Sequence, residues 1–136
     1  MTTRREARRT DLDLLYQADV TGAAPLAVLG EWIDYGREIA PFTRDLVEGV
    51  VANLPAIDAI LESHADDWTV ARMTALDRTI LRLAVFELLH RPDVPPAAVI
   101  SEAVEAASEL SADESKRFVN GILGKLAREL DTGAAS

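Results

Sequence analysis

All six prolines of this chain fall at the joints between stretches of helical periodicity, which restricts its 136 residues to short helices and sharp turns. Pro25 opens a helix carrying Leu29, Trp32 and Ile33, and Pro41 opens the next, with Phe42, Leu46 and Val50 as its inner stripe. Asn53 as a cap and Pro55 restart the chain, with Ile57, Ile60 and Leu61 facing inward. After a turn at Asp66, Asp67 and Trp68, Thr74 and Asp77 have capping-box spacing and lead the most apolar run: Leu76, Ile80, Leu81, Ala84, Leu88 and Leu89. Pro92, Pro95 and Pro96 end it. Val99, Ile100, Ala103 and Ala107 line the following helix to about Leu110. A Ser111–Glu114 capping box starts the last helix, striped by Phe118, Val119, Ile122, Leu123, Leu126 and Leu130. No stretch alternates with the period of a strand. The expectation is an all-α compact bundle of about seven helices over residues 1–131, with a disordered tail at 132–136.

The first helix carries the charge signal. Thr3 and Glu6 have the spacing of a capping box, so a helix starts at Arg4 and ends near Thr21 and Gly22. Arg4, Arg5, Arg8 and Arg9 against Glu6 give residues 1–10 a charge of +3, so a whole-chain charge of −9 leaves −12 for the other 126 residues. Cations in the first turns oppose the helix dipole, so folding alone does not account for them. At about 100° per residue, Arg5, Arg9 and Tyr16 share one stripe, flanked by Arg4 and Arg8, with Ala7, Leu14 and Ala18 on the other side. Guanidiniums beside an aromatic ring suit a single strand of nucleic acid, the cations for phosphates and the flat surface for unstacked bases. On this helix alone, solvated charge and a half-buried Tyr16 explain the pattern equally well.

Several classes are excluded or weakened. Without cysteine there is no disulfide, thiolate metal site or cysteine nucleophile. No apolar stretch approaches the roughly 18 residues of a membrane span, and residues 2–13 are too charged for a secretory signal, so a cytoplasmic protein is expected. His64 and His90 each fall near a helix end, the place of a C-terminal cap, and no catalytic motif surrounds them. Neither an enzyme nor a cofactor is expected.

Two segments carry a family resemblance. One runs Asp77-Arg78-Thr79-Ile80-Leu81-Arg82-Leu83-Ala84-Val85-Phe86-Glu87-Leu88-Leu89, then Asp93-Val94-Pro95; the other runs from Glu102-Ala103-Val104-Glu105 to Ser115-Lys116-Arg117-Phe118-Val119-Asn120-Gly121-Ile122-Leu123. With Arg4-Arg5-Glu6-Ala7-Arg8 and Leu15-Tyr16, they resemble the NusB family of bacterial transcription antitermination factors over almost the whole chain. That resemblance implies an all-helical factor that binds boxA RNA of ribosomal transcripts with the ribosomal small-subunit protein NusE, in an antitermination complex on RNA polymerase. It further implies phosphate contacts by Arg4, Arg5 and Arg8, stacking or buttressing of bases by Tyr16 and Phe118, and a basic rim completed by Arg82. Lys116 and Arg117 are extra phosphate contacts on this reading, and Asp77 with Arg78 belongs to the protein-partner surface. Each has a plainer alternative: Arg82 pairing with a carboxylate, Phe118 in the core, Asp77 as a cap. Asn120 and Gly121 are expected to serve close helix packing and a polar tie to a loop.

Asp13, where the family often has glutamine, and Glu114, one turn before Phe118, set carboxylates beside the cations; replacing Glu114 with Asn is expected to tighten RNA binding. Gly124 stands where many members have an acid. Two alternatives are an RNA-targeting domain like that of certain ribosomal RNA cytosine methyltransferases, and a homodimeric or protein-binding helical adaptor.

Overall fold

The computed structural model describes residues 3–66, 68–111 and 113–132, the side chain of Thr132 excepted. Seven α-helices are present among them: α1 (Arg4–Thr21), α2 (Pro25–Asp34), α3 (Pro41–Ala52), α4 (Leu54–His64), α5 (Ala75–His90), α6 (Pro96–Leu110) and α7 (Asp113–Thr132). A single 3-10 turn, Val70–Arg72, lies between α4 and α5. No strand occurs in the described residues. Proline occupies the first or second position of α2, α3, α4 and α6, where its missing N–H has no helical partner to lose. At the start of α1 the expected box forms in full: Thr3 Oγ1 accepts from the Glu6 N–H, and the Glu6 carboxylate accepts from the Thr3 N–H. Gly22, at φ 75°, closes the same helix in the left-handed conformation that glycine tolerates best.

Three caps depart from expectation. Asn53 turns backward, its Nδ2 donating to the Gly49 carbonyl at 2.8 Å, so it closes α3 rather than capping α4. Thr74 Oγ1 accepts from the Asp77 N–H at 3.1 Å, but the Asp77 carboxylate is taken by the Ser115 hydroxyl, also at 3.1 Å. The Ser111 hydroxyl, in turn, bonds to Ser115 at 2.9 Å instead of capping a helix with Glu114. Thr74 still caps α5, while the Asp77 carboxylate and the Ser111 hydroxyl are engaged through Ser115 in ties between the starts of α5 and α7. The expected tail begins at Thr132, which closes α7; residues 133–136 lie outside the described residues.

Helix α5 is the axis of the bundle and packs against α1, α3, α4, α6 and α7. Burial therefore extends beyond one stripe: Leu83, Val85 and Phe86 are buried along with Ile80, Leu81 and Ala84. Leu76, Leu88 and Leu89, placed inward by periodicity, are only partly buried at the rim. Helix α3 meets α5 tightly at Gly49, where a Cβ would stand 2.1 to 2.7 Å from Phe86 ring atoms. At Gly121 the opposite holds. Its Cβ position faces open space, so Gly121 serves no close helix packing, and Asn120 beside it is exposed. Peripheral α2 buries Val28 and Leu29 but leaves Ile33 exposed. No described helix is long and apolar enough to cross a membrane, and the described residues hold no metal-binding cluster.

Candidate nucleic-acid interface

Helix α1 divides its arginines between two faces. Arg4 and Arg5 are about half exposed, at 50% and 52% of their side-chain surface. Arg4 pairs with Asp93 at 2.8 Å, Arg5 with Glu105 and, at 3.7 Å, with Glu109, and Arg9 with Glu109 at 3.0 Å. Arg8 points the other way. It is buried, and its Nε donates to both carboxylate oxygens of Glu87 on α5, at 2.9 and 3.1 Å. Expected to flank the exposed stripe, Arg8 instead shares the i, i+4, i+7 face of Leu12 and Leu15. A guanidinium held by a buried carboxylate orients α1 on α5 and has little surface for a phosphate.

The buried pair has a third member. Asp11 is completely buried and neither carboxylate oxygen has a hydrogen-bond partner. Burial, reinforced by the Glu87 charge and opposed by Arg8, pushes its carboxyl up to about 9. Burial also raises Glu87 despite its arginine partner. Periodicity marks Phe42 only as an inward residue, yet three guanidiniums surround its ring: Arg91, Arg4 and Arg8 at 4.9, 5.1 and 5.5 Å from the centroid. The start of α3 and the end of α5 thus brace the base of the arginine arm. Neither Phe42 nor Arg91 carries a motif that singles it out.

Arg5 reaches Glu105 and Arg9 reaches Glu109, so ion pairs join successive turns of α1 to successive turns of α6. Tyr16 lies on the same α1 stripe, about 10 Å past Arg9, and is exposed. Soon after α6 ends at Leu110, α7 begins, with Lys116 and Arg117 exposed in its first turns. Lys116 lines a groove with Glu105, Glu109 and Val104 of α6, so it faces the carboxylates that hold Arg5. Phe118 is partly buried and meets Trp68 edge to face, with centroids 6.0 Å apart. Arg5, the Glu105 and Glu109 carboxylates, Lys116 and Arg117 are therefore linked in turn from α1 across α6 to the start of α7, while Tyr16 is exposed farther along α1 and Phe118 stands beside Trp68.

Three expected site residues are held elsewhere. Arg82 grips Asp58 with two bonds, at 2.8 and 2.9 Å, and lies 3.6 Å from Asp19, about 22 Å along α1 from Arg4. It completes no rim with the N-terminal arginines. Arg78 donates to Asp19 at 2.6 Å and to the carbonyls of Val70 and Met73. Asp77 is buried beneath Ser115. Both carry internal ties where a partner surface was expected, because the α5 start is covered by α7 and the 3-10 turn. His64 does meet a helix-end carbonyl, Ile60 at 2.8 Å, and its Nε2 also reaches Glu129 at 2.6 Å, joining α4 to α7. His90 stacks on Phe86 with centroids 5.0 Å apart.

Known proteins share this fold. The transcription antitermination protein NusB of Beutenbergia cavernae is 48% identical, covering 94% of this chain and 91% of that protein. A solved structure of T. maritima NusB superposes with a TM-score of 0.84 at 32% identity, covering 94% of this chain and 92% of the other. A crystal structure of antitermination factors NusB and NusE in complex with dsRNA contains a chain that superposes with a TM-score of 0.80 at 26% identity, covering 92% and 96%. A sequence model of the NusB family matches residues 5–128. By family match, identity and fold together, the chain belongs to the NusB family.

Proposed function

We propose that the protein is a transcription antitermination factor, acting in the cytoplasm, that captures boxA RNA of nascent ribosomal transcripts together with NusE and joins the antitermination complex on RNA polymerase. One RNA-binding domain spans residues 1–131. Arg4 and Arg5 start the phosphate track, Tyr16 offers a ring midway, and Lys116, Arg117 and Phe118 finish it. The observation that carries this reading is the set of exposed cations on α1 and α7, with an exposed Tyr16 and a partly buried Phe118, on a molecule of net charge −9. An anionic body repels a long duplex, so contact is confined to a short segment. The names of the relatives and the NusB–NusE–dsRNA neighbour support the same partners.

Surface carboxylates already pair Arg4 and Arg5, and exposed pairs of this kind exchange readily for phosphate. The test is titration with boxA RNA and a scrambled control, with and without NusE. Tighter binding to boxA, strengthened by NusE and lost in a combined Arg4→Ala and Arg5→Ala variant, is expected. Affinity that ignores both substitutions overturns the track.

A further inference from the structure

We infer that Trp68 is a base-stacking residue which, with Phe118, Arg72, Arg117 and Gly121, forms a subsite for one unstacked base of single-stranded RNA. The inference rests on the RNA reading above and extends its track past the start of α7. Trp68 precedes the 3-10 turn and keeps 47% of its surface exposed, the largest aromatic side chain placed so close to the track. Its ring is held by two partners: Phe118 meets it edge to face, and the Arg72 guanidinium lies over it, 5.3 Å from its centroid. A tryptophan oriented by such partners, with about half of its surface still exposed, has a fixed plane that another flat group can reach.

Beside it lies an open pocket of about 400 Å³, lined by Trp68, Arg117, Phe118, Gly121, Lys125 and His64. Gly121 is a second, independent sign of an occupant. Glycine within a helix is less favourable than alanine, and here nothing lies within 4 Å of its Cβ position, so packing does not require it. A side chain at that point would enter the pocket. Arg117 and Lys125 line the pocket and Arg72 lies over Trp68, against Asp66, which is 88% exposed and 3.6 Å from Lys125, and Glu129, 2.6 Å from His64. Flat rings beside three cations on an otherwise anionic molecule fit a polyanion with flat groups of its own, which is single-stranded nucleic acid. Continuity through Arg117 and Phe118 places that ligand on the same transcript segment as Arg4 and Arg5.

The chain has two tryptophans, so Trp32→Phe leaves Trp68 as the lone indole reporter. Titrating that variant with a boxA RNA oligonucleotide, while following labelled-RNA anisotropy in parallel, is expected to quench Trp68 emission in step with binding. Trp68→Ala should weaken binding about 5- to 150-fold with an unchanged salt slope, and Trp68→Phe should restore most of the loss. Gly121→Leu should weaken binding while thermal melting shows an intact fold. Saturable binding with silent Trp68 emission, or parent-like affinity in Trp68→Ala, overturns the subsite and leaves the RNA function standing. Absence of any boxA binding by the parent chain overturns both.

Discussion

Asp11 and Arg8 lie one turn apart on the same face of α1, and the fold treats them differently. The Asp11 carboxyl is raised to about 9 from an ordinary 3.8, first by burial and then by Glu87, so it is protonated at neutral pH. A group raised on folding contributes stability that is full below its unfolded value and is lost as pH rises toward the folded one. For Asp11 that loss falls between about pH 4 and pH 9. Asp11→Asn, which mimics the neutral acid, should match the parent near pH 4 and exceed it at pH 8 in denaturant unfolding; parallel pH profiles would contradict this. Arg8 is paired, so its removal strands Glu87. Arg8→Ala should cost on the order of 3 to 5 kcal/mol, whereas Arg8→Met combined with Glu87→Leu should recover most of it. The inward direction of Arg8 is legible in its spacing to Leu12 and Leu15. Its partner on α5, 79 residues away, is not.

At the scale of elements, helix starts were readable because proline and Thr3 act through neighbouring backbone atoms. The caps at Asn53 and Ser111 were not, because their side chains found better acceptors once neighbouring turns were in place. Gly49 shows the same divide: its sequence context is an ordinary helix, but Phe86 of α5 fills the space a side chain would need. Gly49→Ala should destabilise by about 1 to 3 kcal/mol through overpacking, measured by thermal melting, and Phe86→Leu in the same chain should relieve part of it. Full additivity of the two losses would show that they do not meet across α3 and α5.

Across the whole molecule, burial separates the cations expected at the RNA or partner surface. Arg4, Arg5, Lys116 and Arg117 are exposed, Arg4 and Arg5 in surface pairs with Asp93 and Glu105, while Arg8, Arg78 and Arg82 are largely buried against Glu87, Asp19 and Asp58. Four phosphate contacts at roughly 0.7 each predict a slope of log affinity against log salt of about −3 for single-stranded boxA RNA. Arg82→Gln should lower the melting temperature and leave that slope unchanged, and a shallower slope in this variant would return Arg82 to the RNA surface. The all-helical class, the seven elements, the N-terminal concentration of positive charge and the family all followed from the chain's own residues, since periodicity, proline placement and local motifs depend on neighbours in sequence. Which arginines face solvent, why Asp77 lies buried, and how Trp68 comes to stand beside Phe118 were decided only by tertiary structure, because ion pairs and ring contacts form between segments tens of residues apart and depend on how the helices pack.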